Sequence, residues 1–319
     1  MIRSIARTVP LLLGLFTFSS FAWAQSCTAS ISNLNFGTVS LLGGGTHDSS
    51  ATLTINCTNS LNLSLAIRAC VHLEGGNGGV SGSARTMANG AKLLNYQLYQ
   101  DSARSIPWGS TSSANLGTVW GQNFLLLPLS SFSRSQTIYG RILANQNTAT
   151  GGSYLSSFSG TQARVNWTTY DITPPACSTV IQNQIYPAFN VQSFVDRTCS
   201  LTSENINFGS RGLLKSQVDA AGRVSVSCTS GLPFNISLNG GLANALPTQR
   251  KMSYNGNSII YGLYSDATRQ IPWGTGAGAI LSGVGTGVSQ VLNVYGRVPP
   301  QATPSPGVYN DTVVVTVTF

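Results

Sequence analysis

Charge is what this sequence has least of. Its 319 residues include only 17 Lys/Arg and 9 Asp/Glu, 8% of the chain, where roughly 25% is usual. Disorder needs low hydrophobicity with high charge, and 42% hydrophobic residues exclude it. The net basic balance comes from a shortage of acids, with no dense Lys/Arg run, which argues against a nucleic-acid partner. Two isolated histidines, His47 and His72, and the absence of any Cys-x2-Cys pair argue against a metal site. There is no HExxH, no Gly-x-Ser-x-Gly elbow and no P-loop, so no catalytic residue and no cofactor is expected. Gly274–Ala279 spells Gly-x-Gly-x-x-Ala, but no βαβ unit surrounds it and it reads as a turn. Beyond Ala24 no apolar run is long enough to span a bilayer as a helix, and no helical periodicity is evident.

Residues 1–24 read as a signal peptide. Arg3 and Arg7 precede an apolar stretch from Val9 to Phe18, and Ala22-Trp23-Ala24 has the small-residue pattern of a cleavage site. The chain is therefore expected to be exported, with Gln25 as its mature start. Export makes the cysteines informative. Six of them, Cys27, Cys57, Cys70, Cys177, Cys199 and Cys228, imply three disulfides in an oxidising compartment.

An internal repeat narrows the pairing. Cys27 to Gly37, ending Asn-Leu-Asn-Phe-Gly, matches Cys199 to Gly209, ending Asn-Ile-Asn-Phe-Gly, and Cys57-Thr58 matches Cys228-Thr229. Arg85–Gly109 aligns without a gap on Arg250–Gly274, with 11 of 25 positions identical, including Tyr-x-Leu-Tyr-x-Asp and Ile-Pro-Trp-Gly. Tyr139-Gly-Arg141 returns as Tyr295-Gly-Arg297, and Gly152-Ser-Tyr154 as Gly307-Val-Tyr309. Cys27–Cys57 and Cys199–Cys228 occupy equivalent positions and are expected to pair. Cys70–Cys177 remains, a staple from the interdomain segment to the first copy. Asp101 with Arg104 and Asp266 with Arg269 sit in corresponding turns and read as local ion pairs. Arg141 and Arg297 read as supports of strand ends.

Both copies are written in short strands. Ala51–Asn56, Leu61–Ile67, Leu93–Tyr99, Gln136–Arg141 and Arg164–Thr169 alternate apolar with polar residues between Gly, Ser and Asn clusters. The expected fold is all-β, two tandem immunoglobulin-like (pilin-type) antiparallel sandwiches. The second copy offers six strands, Ser203–Phe208, Arg223–Cys228, Phe234–Leu238, Ile259–Tyr264, Gln290–Arg297 and Thr312–Phe319, one fewer than such a sandwich needs. The last would place Val313, Val315, Val317 and Phe319 on one face, beside an open groove and an unpaired edge. The domains are expected at 25–176 and 199–319. Between them, 177–198 reads either as a plain linker or as a strand closing the first sandwich in cis. Ile181, Ile185, Phe189, Val191 and Val195 favour the strand, and Pro187 counts against it.

The Cys…Asn-Phe-Gly opening, Cys-Thr, Tyr-x-Leu-Tyr-x-Asp, Ile-Pro-Trp-Gly, Tyr-Gly-Arg and the closing Tyr-x-Asp-Thr-Val-x-Val-Thr-Val-Thr-Phe resemble spore coat protein U domains. That family includes the subunits of archaic (Csu-type) chaperone–usher pili. The match runs once through each half. The first half departs from it at Gln162–Tyr170, where Val/Thr alternation is expected. Two such domains behind one leader resemble the tip adhesin of these pili. The resemblance implies a periplasmic pilus chaperone, an outer-membrane usher and an adjacent pilin subunit bound by donor-strand complementation. Val313, Val315, Val317 and Phe319 would then be the strand that contacts subunit or chaperone. Only Gln25 and Ser26 precede Cys27, too few to donate a strand, which fits a subunit at the pilus tip. A secreted coat or matrix protein of the same family is the alternative, and an outer-membrane barrel is a more distant one.

A tip subunit meets a host or abiotic surface. The stretch from Trp108 to Tyr139 in the first copy is longer than its counterpart from Trp273 to Tyr295 in the second. The longer version holds Phe124, Leu125, Leu126, Leu127 and Leu129. These read as an exposed adhesive loop or, alternatively, as a buried strand. Leu41, Leu42, Tyr154 and Leu155 are further adhesive-loop candidates.

Overall fold

A computed structural model describes residues 25–60, 66–125 and 127–319. The leader, the start of the strand expected at Leu61–Ile67, and Leu126 lie outside the described residues. The first copy holds β1 (Gln25–Ile31), β2 (Leu34–Val39), β3 (His47–Asn59), β4 (Ala66–Leu73), β5 (Val80–Ser81), β6 (Ala84–Asn89), β7 (Lys92–Tyr99), β8 (Trp120–Leu125), β9 (Ser130–Ile142), β10 (Gly152–Phe158), β11 (Ala163–Tyr170) and β12 (Phe189–Val195). The second holds β13 (Cys199–Ser203), β14 (Val218–Cys228), β15 (Pro233–Leu238), β16 (Arg250–Tyr254), β17 (Asn257–Tyr264), β18 (Leu281–Val284), β19 (Gln290–Val298) and β20 (Val315–Thr318). The described residues contain no α-helix. The protein is all-β.

In the first copy one sheet runs β1-β3-β9-β7-β6-β10-β12-β2, with β5 on β6, and a second runs β11-β4-β8. The strands at the two ends of the long sheet, β1 and β2, are separated in the chain by Ser32 and Asn33 alone. A sheet with such neighbours at opposite ends must curl back on itself, as its natural twist favours. Inside it lies one core built from Leu34, Leu53, Tyr96, Trp108, Ile138 and the residues around them, all fully buried.

The segment after Cys177 supplies β12. It pairs antiparallel with β10 along its whole length, from Gly152↔Val195 to Phe158↔Phe189, and parallel with β2. Phe189, Val191 and Val195 are buried in the first core, and the Phe189 ring stacks on Phe158 with centroids 4.4 Å apart. Pro187 does not interfere, because it lies before the strand begins. Upstream, Ile185 exchanges both backbone hydrogen bonds with Val165 of β11 (2.8 and 2.9 Å), so the segment also lines that sheet's free edge.

The second copy repeats the pattern without those three strands. Its sheets run β13-β14-β19-β17-β16 and β18-β15-β20, the counterparts of β1-β3-β9-β7-β6 and β8-β4-β11. The strand expected at Ser203–Phe208 is instead Cys199–Ser203, and 204–210 carries no strand. The equivalent β2 is held by β12, and the second copy has no such partner among the described residues. The terminal strand is likewise shorter than expected. It spans Val315–Thr318 and pairs with β15, leaving Val313 outside it. Val313, Val315 and Val317 pack half-buried against the second core, whereas Phe319 is exposed beyond the last paired residue.

Two further features recur in both copies. Cys27 faces Cys57 across β1–β3, and Cys199 faces Cys228 across β13–β14, each pair bonded, and Cys70–Cys177 anchors the start of the β12 segment to β4. Arg85 is fully buried and donates to the carbonyls of Leu73 (2.7 Å), Glu74 (2.7 Å) and Trp108 (2.6 Å) and to the Gln97 side chain. Arg250, equally buried, donates to Leu238, Asn239, Pro247 and Trp273 carbonyls. A buried charge is tolerated only when its donors are satisfied. Each guanidinium therefore clamps a strand end to the Trp-Gly turn, which explains why the strongest repeat begins at an arginine.

Replacing Phe189 by Ala removes a stacked core ring and leaves a cavity. Denaturant unfolding is expected to show the first domain destabilised by about 3–5 kcal/mol, with the second domain's transition unchanged.

Candidate functional site

Strand register places the first domain's ends. β12 passes Val195 beside Val39 and leads into β13, so Val39, His47 and Ile142 lie at the pole facing the second domain. Thr150 bridges to Ser230 at that same junction. The opposite pole gathers Gln25, Asn59 and Ser130 on one sheet and Tyr170, Ala66 and Leu125 on the other. The β8–β9 tip stands at this far pole.

The tip exposes part of the expected loop and corrects the rest. Leu125, Leu127 and Leu129 are 69%, 54% and 76% exposed. Phe124 is not part of that exposed set. It is buried in β8 and packs against Phe132 with centroids 4.9 Å apart, because alternation in β8 turns it inward while Leu125 turns out. Leu129 has φ 56°, a left-handed conformation that costs a Leu on the order of 1 kcal/mol. A hydrogen bond from Ser130 Oγ to the Leu127 carbonyl closes the turn. Ile172, 93% exposed just beyond β11, adds to the same apolar pole.

The other loop candidates are corrected. Leu41 is buried in the first core near the domain junction, close in the chain to buried Val39, and Leu42 is half-buried. Tyr154 is buried within β10 and donates its hydroxyl to the Thr150 carbonyl at 2.9 Å. Leu155 is exposed, but it lies mid-sheet between Gln192 of β12 and Ala88 of β6. In all three regions the pattern of apolar residues was visible, but not the direction in which the strand presented them.

The turn charges are also arranged differently from expectation. Asp101 accepts backbone N–H groups from Ser105 (3.0 Å) and Ile106 (2.8 Å) rather than pairing with Arg104. Those backbone donors, that of Ile106 foremost, hold its carboxyl below the usual range. Arg104 instead reaches Asp48 at 3.3 Å, stacks over Tyr139, and shares Asp48 with Arg141, which binds it through both nitrogens at 2.6 and 2.7 Å. The second copy repeats the trio as Arg269, Asp219 and Arg297. In each, the hydrogen-bonded arginine pulls the carboxyl pKa down. These groups brace β3–β9 and β14–β19. Gly274–Ala279 closes as a turn through Gly274 N–H to the Ala279 carbonyl, at 2.7 Å.

Among the described residues no three His, Cys, Asp or Glu side chains cluster as metal ligands. The described residues also offer no helix long and apolar enough to cross a membrane.

The second domain presents the other distinctive site, an unfilled slot. Leu34, on β2 beside β12, is fully buried, but its counterpart Ile206 is only half-buried. Tyr154 is buried, and its counterpart Tyr309 is half-exposed. No segment among the described residues takes the place of β12 there, and the outer edge of β20 has no strand partner among them.

Two curled pilin-type sandwiches, one closed by a strand from the interdomain segment and one open, define the class. The chain belongs to the Spore Coat Protein U domain family, which it matches twice, at residues 13–161 and 186–316. It is 34% identical to Protein U of Myxococcus xanthus over 147 residues, 41% of this chain and 82% of that one. Its fold is similar to that of a chain in the CsuC–CsuE chaperone–tip adhesion subunit pre-assembly complex from archaic chaperone–usher Csu pili of Acinetobacter baumannii, with a TM-score of 0.50 at 17% identity. That likeness covers 92% of this chain and 100% of the other. The CupB6 tip adhesin of Pseudomonas aeruginosa is a more distant likeness, with a TM-score of 0.41 at 13% identity, over 92% of this chain and 94% of that one.

His72 was set aside in the sequence as isolated. It is buried on β4, and burial, assisted by Arg164, pushes its pKa down to about 4. The folded state then holds fewer protons than the unfolded chain between pH 6.5 and about 4. Stability is fully present above pH 6.5 and is lost as pH falls toward 4, by on the order of 3 kcal/mol. His72→Gln is expected to flatten this dependence in denaturation midpoints measured from pH 7 to 4.

Proposed function

We propose that the protein is the tip adhesin of a chaperone–usher pilus, a non-enzymatic subunit exported through the periplasm to the cell surface. The observation that carries this reading is the contrast between the two slots. The first sandwich is completed in cis by β12, whereas no strand among the described residues fills the same slot in the second. An alternating apolar strand from the adjacent pilin subunit fits that slot, flanked by Ile206, Phe208 and the Val313, Val315, Val317 face of the terminal strand, with Phe319 at its end. The second family match begins at residue 186, just before β12. β12 thus corresponds to the leading segment of the second domain, given to the first domain within one chain. Before assembly a periplasmic pilus chaperone would hold the slot, and an outer-membrane usher would receive the complex. The name of the similar structure, a tip adhesion subunit held by its chaperone, supports this.

Attachment to a host or abiotic surface, and hence biofilm formation, falls to the far pole of the first domain. Leu125, Leu127 and Leu129 form an exposed apolar tip of the kind that marks interaction sites. A second reading, a secreted coat or matrix protein outside any pilus, is favoured by the closer identity to Protein U.

Residues 199–319, produced in the periplasm with and without a fused donor strand, separate the two. The tip reading expects soluble, cooperatively unfolding monomer only with the strand. Stable folding without it would favour the coat protein. Replacing Leu125, Leu127 and Leu129 by Ser is expected to abolish surface attachment with export and thermal stability unchanged. Retained attachment would remove the adhesive tip.

A further inference from the structure

Beside the apolar tip, the first sandwich is split open. A cleft of about 250 Å3 lies between the inner faces of β8 and β9. Its walls are Trp120, Gln122, Asn123, Phe124 and Leu125 from one strand and Phe132, Arg134, Ser135 and Gln136 from the other. Leu53 and Ile55 of β3 form its floor. Trp120, Gln122 and Phe124 are two apart along β8, as Phe132, Arg134 and Gln136 are along β9, so each trio shares one face, which in β9 continues into the core residue Ile138. Polar side chains at inward positions break the pattern a stable core demands, and such breaks concentrate at functional sites.

The second copy keeps an amide, Gln290, at one of these positions and fills the others with apolar residues or glycine. By ladder register, Arg134 faces Ile55 as Gln290 faces Val226, and Gln136 faces Leu53 as Leu292 faces Val224. On the other wall, Ala69 faces Gln122 as Phe234 faces Gly283. In the second domain the Phe234 ring packs on Gly283, so close that a Cβ there would meet Phe234 Cζ at 2.5 Å. One domain thus plugs this space with a buried phenyl ring. The other has alanine there and lines the space with two amides and a guanidinium.

The groups in the cleft are available. Arg134 takes part in none of the ion pairs of the described residues, and its hydrogen bond among them is a long one, 3.5 Å to the Ser133 carbonyl. Gln136 Nε2 donates to the carbonyls of Gln100 (3.0 Å) and Thr137 (3.1 Å), while its Oε1 has no donor among the described residues. Gln122 has one bond, at 3.5 Å, to the Asn123 carbonyl.

We propose that this cleft binds a single hexuronic acid unit, the carboxylate-bearing pyranose of an acidic polysaccharide. The volume is below that of drug-sized sites and suits one ring. Aromatic walls pack against the apolar face of a sugar, amide side chains exchange hydrogen bonds with hydroxyls, and an unpaired guanidinium receives a carboxylate through two parallel bonds. The proposal rests on the reading of the first domain as the surface-binding end, and adds to its apolar tip a site for one chemical class.

The test titrates the full exported chain with glucuronic acid, glucose and acetate by calorimetry or ligand-observed NMR. Glucuronic acid is expected to bind at least tenfold more tightly than glucose or acetate. Arg134→Gln and Gln136→Leu install the residues that the second copy carries at the same ladder positions, so the fold accommodates them. Each is expected to weaken glucuronic acid at least tenfold with an unchanged melting temperature. Equal binding of glucose would overturn the acidic class, and equal binding of acetate would reduce the site to a surface cation. Absence of glucuronic acid binding, or full binding by both variants, would overturn the cleft. A Leu127→Ser, Leu129→Ser variant keeps the two readings apart, since Leu125 also borders the cleft. It is expected to lose attachment to apolar surfaces while retaining glucuronic acid.

Discussion

The pairing of β12 governs this molecule. A pilin-type sandwich cut one strand short leaves backbone donors and acceptors along two edges and the core beneath them wet. In the first domain β12 satisfies β10 on one side and β2 on the other while burying Phe189, Val191 and Val195. β2 and β10 exist as strands because β12 lies between them. In the second domain, where the described residues hold no counterpart of that strand, the equivalent of β2 is irregular and the equivalent of Tyr154 is half-exposed. One strand separates a closed domain from an open one built on the same repeat.

What the two domains share is held by polar devices rather than by core volume alone. Arg85 and Arg250 lie at the same point of each sandwich, where a buried guanidinium gathers carbonyls from separate segments, two for Arg85 (Leu73–Glu74 and Trp108) and three for Arg250 (Leu238–Asn239, Pro247 and Trp273). Burial lowers the pKa of both arginines, but with that many charge-assisted bonds the ionised form persists at neutral pH. The Asp48 and Asp219 trios sit on the outer faces of the corresponding ladders, where solvent screens them and their worth is geometric more than energetic.

What distinguishes the domains is concentrated at one pole. The β8–β9 hairpin, with longer strands than its β18–β19 counterpart, raises an apolar tip there, with Leu129 in a left-handed conformation that the hairpin imposes. The replacement of a plugging phenylalanine by Ala69 opens a cleft directly behind the tip. Both features lie at the end of the first domain farthest from the junction with the second.

The repeat, its cysteine pairs, the all-β character and the strands around Leu93–Tyr99 and Gln136–Arg141 were legible in the sequence. Each depends on local alternation or on a comparison between copies, and both are one-dimensional facts. Alternation says which residues share a face but not which face is inward. Phe124, Leu41 and Tyr154 therefore looked as eligible for a surface loop as Leu125, and only packing separated them. Whether 177–198 was linker or strand turned on partners distant in the chain, since β2 and β10 acquire their role only when β12 lies between them. The cleft was hidden for the same reason. Gln122 and Arg134 lie on strands of different sheets and come to line one cleft only when the two sheets pack.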